Sequence, residues 1–172
     1  MRNIAILSLL ILFCTASVLI VTWQGTSIAK AINKEKVSEV PPKPCSLILE
    51  PVDKKLTNAK GAALIYKVQL NPPSFARTNV SIVAVHLPDP SSYGKYDHYE
   101  GFVFIPGEIS WRFRLSPTDE EYGPSWAGRF DLITADVMNA EVQVRPVNSR
   151  TDKLGSSVLT NSVYACSQSP VK

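Results

Sequence analysis

Hydrophobic and polar residues alternate with period two through most of the chain beyond residue 45. The clearest run covers 108–116, where Ile109, Trp111, Phe113 and Leu115 point one way and Ser110, Arg112 and Arg114 the other, the mark of a half-buried strand. Residues 61–70 repeat it, with Leu64, Tyr66, Val68 and Leu70 expected inside and Lys67 and Gln69 outside. Residues 140–148 do so again, Val142 and Val144 against Glu141, Gln143 and Arg145. Residues 79–87 are more evenly apolar, as a central strand would be. Weaker strands at 46–52, 99–105, 129–137 and 157–166 bring the expected number to about eight.

Turn residues divide these runs. Pro106-Gly107 suits a type II turn, Met138-Asn139 makes a similar break, and Pro72-Pro73, Pro88-Asp89-Pro90 and Pro124 punctuate longer connections. No window of twelve residues after Cys45 sustains helical periodicity. The pattern predicts an all-β domain over 45–172, an antiparallel two-sheet sandwich.

Two segments carry a resemblance. The stretch Ala140-Glu-Val-Gln-Val-Arg-Pro-Val-Asn-Ser149, with Lys153-Leu-Gly-Ser-Ser157 and Asn161-Ser-Val163, resembles the last two strands of a fibronectin type III domain. That implies an immunoglobulin-like sandwich with an adhesive or spacing role, although Tyr66 stands where the family's second strand has tryptophan. Phe102-Val-Phe-Ile-Pro-Gly-Glu108 is similar to a hairpin of Calx-β modules, which implies calcium; Asp119-Glu120-Glu121 is the stretch that would match its acidic loop. Neither resemblance transfers a binding residue.

The chain opens differently. Residues 4–23 are apolar, and no charge lies between Arg2 and Lys30; at about 1.5 Å per residue such a run spans roughly 30 Å, a bilayer core. Residues 1–29 therefore read as a signal anchor or signal peptide, with 4–23 as the membrane contact, followed by a basic, proline-rich linker over 30–44. Two outcomes stand: a single-pass membrane protein with its C-terminal domain outside the cytoplasm, or a secreted one if cleavage occurs near Ala29 or Ala31. The lysines after the run oppose this orientation under the positive-inside rule. Cys14, inside the run, reads as an apolar filler.

Composition changes the picture in one respect. The formal net charge is +3, yet from residue 31 onward 16 basic and 15 acidic residues leave +1. A nearly neutral domain has no nucleic-acid footprint.

Candidate chemistry is sparse. Cys45 and Cys166 bracket the domain, and in an exported protein they are expected to form a disulfide. An even strand number places them at the same end. The two histidines lack metal-ligand spacing; His86 reads as packed at a strand end and His98 as an exposed loop residue. No phosphate loop, nucleophile elbow or metalloprotease helix is present, so no catalytic residue, cofactor or metal is expected. The acidic stretch at 119–121 reads as a solvated loop.

Residues 89–101 are the most informative. Tyr93, Tyr96 and Tyr99 recur every three positions among Ser, Gly, Asp, Lys and His98, a mixture found in loops that recognise partners through rigid amphipathic rings. The expected function is non-catalytic binding, adhesion or surface structure, with a protein or glycan partner. The alternatives are a small carbohydrate-binding or carbohydrate-active protein using this loop, with acids beside Trp111 or Trp126, and a subunit of an envelope or secretion complex.

Overall fold

The computed structural model describes residues 44–69, 75–120 and 123–168. Their strands are β1 (Cys45–Pro51), β2 (Lys60–Gln69), β3 (Ala76–Val85), β4 (His98–Ile105), β5 (Ile109–Pro117), β6 (Trp126–Ile133), β7 (Glu141–Asn148), β8 (Lys153–Leu154) and β9 (Leu159–Ser162). Neighbours run in the order β1-β2-β3-β6-β5-β4-β7-β9 and back to β1, every pairing antiparallel. The short β8 adds to β7 through Val147↔Leu154 and Asn148↔Lys153.

The expected two-sheet sandwich is thus corrected to a closed eight-stranded β-barrel. Two strands make the difference, because each pairs at one edge along one half of its length and at the other edge along the rest. In β1, Cys45 to Leu49 pair with β2, whereas Glu50 and Pro51 pair with β9. In β5, Ile109 to Leu115 pair with β4, whereas Ser116 and Pro117 pair with β6. Alternation reports which face of a strand is buried and is silent on whether its edge is free. The fibronectin and Calx-β resemblances therefore extend to short strand–turn segments and not to the architecture.

The expected membrane run, residues 4–23, and the linker up to residue 43 lie outside the described residues. Among the described residues no helix is long and apolar enough to cross a membrane. The membrane or secreted localisation read from that run is accordingly withdrawn.

The barrel interior is filled by inward side chains from every ring strand. Leu49, Ile82, Leu115, Val103, Val142 and Leu159 are buried there almost completely, and strand residues two apart share the face, as the pleat requires. The alternation in β5 and β7 has the expected phase. That in β2 is reversed over 61–65, where Gly61, Ala63 and Ile65 face inward and Leu64 is exposed, while Lys67 and Gln69 are exposed as expected and Tyr66 and Val68 are half-buried. Large neighbours explain this. A side chain at Gly61 would meet Leu159 Cδ1 at 2.9 Å and Leu49 Cβ at 3.2 Å, so β2 presents its small residues where β1 and β9 present leucines.

The turn between β4 and β5 forms as the Pro-Gly pair predicts. Glu108 N–H donates to Ile105 O at 3.0 Å and Gly107 has φ 77°, the left-handed third position of a type II turn. At the β5–β6 corner, Phe113 and Phe130 stack with ring centroids 6.2 Å apart. Gly128 lets the strands approach, since a Cβ there would lie 2.4 Å from the Arg114 carbonyl oxygen.

The β1–β9 corner is held at three levels. Two residue pairs join the strands at one end, Asn161 Nδ2 donates to Ile48 O at 2.7 Å in the middle, and Cys45 is bonded to Cys166 at the other, Cα atoms 5.8 Å apart. Cys166 sits in a 3-10 segment, Val163–Gln168, that continues β9.

Two predictions follow from the corners. The disulfide closes a loop with a sequence separation of 121, for which chain entropy gives about 4 to 5 kcal/mol. Paired Cys45→Ser and Cys166→Ser substitution should lower the melting temperature by roughly 10 °C or more in calorimetry. Gly128→Ala should cost about 1 to 3 kcal/mol in a urea titration, because its methyl group meets backbone rather than a movable side chain.

Candidate functional site

The segment singled out in the sequence divides into a buried half and an exposed half. Tyr99 is wholly buried and lies edge-on to Trp126, centroids 5.1 Å apart; its hydroxyl donates to Pro88 O at 2.8 Å. Burial pushes this phenol's pKa well up. Tyr93 is its electrostatic neighbour across the loop. Tyr99 is thus a core residue that anchors the loop.

His98 is corrected as well. It opens β4 and is 4% exposed, not looped into solvent. Its Nδ1 lies 2.6 Å from Asp97 Oδ1 and its Nε2 3.3 Å from Glu100 Oε1, so both ring nitrogens are engaged. His86, expected to be packed, is exposed at a turn with φ 53°. Asn79, the acceptor position of an Asn-Val-Ser sequon, is buried and donates from Nδ2 to Ser81 Oγ at 2.9 Å.

The exposed half builds a cleft of about 360 Å³ between two loops, lined by Tyr93, Gly94, Lys95, Tyr96, Asn148, Thr151 and Lys153. The first loop follows a 3-10 turn, Pro90–Tyr93, capped by Asp89, whose Oδ1 accepts from Ser91 N at 2.8 Å; the Ser91 side chain, and then this backbone bond, hold its carboxyl below the usual range. The second loop joins β7 to β8. Asn148 sets its shape by accepting at Oδ1 from Arg150 N and Thr151 N, both 3.0 Å, while its Nδ2 donates to the Lys95 carbonyl.

A second stitch ties the same loops. Asp97 accepts from Ser149 Oγ at 2.5 Å and from Ser149 N at 3.1 Å. The serine bond, with His98 behind it, lowers the Asp97 carboxyl pKa to about 2. Tyr96 is half-buried and its Cζ would stand 3.0 Å from a Cβ at Gly155, so its ring rests on that glycine. Tyr93 is 38% exposed. Both rings are held by local contacts and leave surface toward the cleft.

Beside the cleft, Arg112 crosses the outer face of β5. Its Nε donates to Glu100 Oε2 at 2.7 Å, and Nη1 and Nη2 reach Asp152 at 3.2 and 2.9 Å; these bonds, Glu100 first, raise its pKa. Arg145 donates from Nε to Gly155 O at 2.7 Å and stacks over Phe102 at 5.3 Å. Burial, then repulsion from Arg112, lowers its pKa.

One surface feature escaped the sequence reading. Phe102 and Phe104 point outward from β4, centroids 5.1 Å apart, and border a groove of about 370 Å³ with Ile109 and Ser110. Alternation was the available signal, since inward Tyr99, Val103 and Ile105 force both phenylalanines outside. Neither this groove nor the cleft is lined by Trp111 or Trp126; Trp126 is buried against Tyr99. Among the described residues no group of three His, Cys, Asp or Glu side chains is placed to hold a metal ion. Glu121 of the acidic stretch lies outside them.

A family profile described as "SPbeta prophage-derived uncharacterized protein YoqH" matches residues 41–167, the stretch that forms the barrel. This chain belongs to the YoqH family. It is 69% identical over 125 residues to the protein of that description from Bacillus subtilis (strain 168), covering 73% of this chain and 83% of the relative. No solved structure matches. The YoqH match thus includes both loops of the cleft and both disulfide cysteines.

The Asp97 stitch yields a pH prediction. A carboxyl lowered from 3.8 to about 2 stabilises the fold fully above its unfolded value and loses that contribution as pH falls through the folded one. Asp97→Asn should therefore lower the melting temperature at pH 7. The gap between variant and wild type should narrow as pH falls from about 4 toward about 2 in a calorimetric pH series.

Proposed function

We propose that this chain is a non-catalytic binding module, a disulfide-closed barrel that presents the Tyr93–Tyr96 cleft to a glycan. The observation that carries this reading is the way the cleft is built. Two loops are stitched by Asn148–Lys95 and Asp97–Ser149, so the tyrosine rings are held before any ligand arrives, which reduces the ordering cost of binding.

The lining favours a sugar over a polypeptide. Tyrosine faces match the C–H faces of a pyranose, and hydroxyl, amide and ammonium groups around them supply donors. The non-catalytic part of the reading draws support from how the titratable groups are used. His98 is buried between two carboxylates, and Glu100 and Asp152 are both taken by Arg112. A general acid or base must reach substrate, and these groups reach one another.

Tyr93→Ala with Tyr96→Ala tests the reading. On a glycan array the wild type should be retained by at least one class of sugar, and the double variant should lose tenfold or more in affinity. Its melting temperature should fall by no more than a few degrees, since neither ring belongs to the barrel interior. A large loss of stability would return the rings to the core and remove the proposal.

A further inference from the structure

The cleft has a sign as well as a shape. Of the seven residues that line it, the two charged ones are Lys95 and Lys153. The carboxylates nearest by sequence are spent elsewhere: Asp97 on Ser149 and His98, Asp152 on Arg112. Among the described residues neither lysine ammonium has a hydrogen-bond or ion-pair partner. Two cations thus face a cleft from which the local anions have been withdrawn into structural pairs.

We infer that the ligand of this cleft is an acidic sugar chain, whose carboxylate or phosphate lies between Lys95 and Lys153 while a ring face rests on tyrosine. The inference depends on the glycan-binding reading above and goes past it by fixing the charge of the ligand. Ammonium groups suit this task because they act as compact point charges that follow an anion on a flexible stem. Both lysines are exposed and sit in or beside hydrogen-bonded loops, so exchanging them leaves the fold's own bonds intact. Their attraction is screened by salt, as for any exposed pair.

Isothermal titration of the full chain with four probes tests this. Hexagalacturonate carries carboxylates, its fully methyl-esterified counterpart keeps the backbone without charge, phosphopentamannose carries phosphate, and hexaglutamate carries charge without sugar. An acidic sugar should bind at least tenfold more tightly than the ester, and whichever of the two acidic sugars binds better identifies the anion. Lys95→Gln and Lys153→Gln should each weaken that binding about fivefold and leave the ester unchanged, and added sodium chloride should weaken it too.

Equal binding of acid and ester, both lost in the Tyr93→Ala and Tyr96→Ala variant, would overturn the charge inference and leave the cleft reading standing. Hexaglutamate binding as tightly as the sugars would overturn the sugar class. Unchanged acid binding in both lysine variants would place the anion elsewhere and overturn the inference. Absence of binding by all four probes would overturn it together with the reading beneath it.

Discussion

Everything on this molecule's surface depends on the closing of the β1–β9 corner. A barrel removes exposed strand edges only if its first and last strands meet, and here they meet through two backbone pairs, one asparagine side chain and a disulfide. The second thin corner, β5–β6, is joined through chain neighbours in a meander and sealed by stacked Phe113 and Phe130. The first has no such help, since its strands stand at opposite ends of the domain's sequence. A covalent bond is effective there because the loop-closure entropy it removes grows with the separation of the partners.

Closure also decides where a site can form. The interior is filled by inward side chains of all ring strands, as in small barrels whose lumen just accommodates side chains. Recognition is displaced to loops at the rim or to the outward face. The rim carries the β3–β4 and β7–β8 connections side by side, because β4 and β7 are neighbours despite the two strands between them in sequence. That adjacency brings Tyr96 over Gly155 and Asp97 to Ser149.

Period-two patterning made the strands legible in the sequence, and Pro106-Gly107 made one turn legible, since both are local rules. What it hid was non-local. Whether β1 and β5 pair on one edge or two depends on bending that alternation does not record. The phase of the first half of β2 is not legible because Leu64 is large and Ala63 small, whereas the interior there is already occupied by Leu49 and Leu159. Local spacing likewise made Tyr93, Tyr96 and Tyr99 look equivalent. His98, read as a loop residue, lies one position inside a strand whose partner β7 covers it, and sequence spacing alone does not show that pairing.

The three tyrosines therefore do different work on one line of contacts. Tyr99 faces Trp126 in the barrel and must satisfy a buried hydroxyl, since an unpaired one costs about as much as a lost hydrogen bond. It does so by donating to the Pro88 carbonyl, in the loop that it supports. The requirement to satisfy a core phenol thus fixes the start of the loop at Pro88, and Asn148 fixes the other wall through Lys95. Core packing and surface recognition share these hydrogen bonds, which gives the cleft the rigidity of the barrel although it is made of loops.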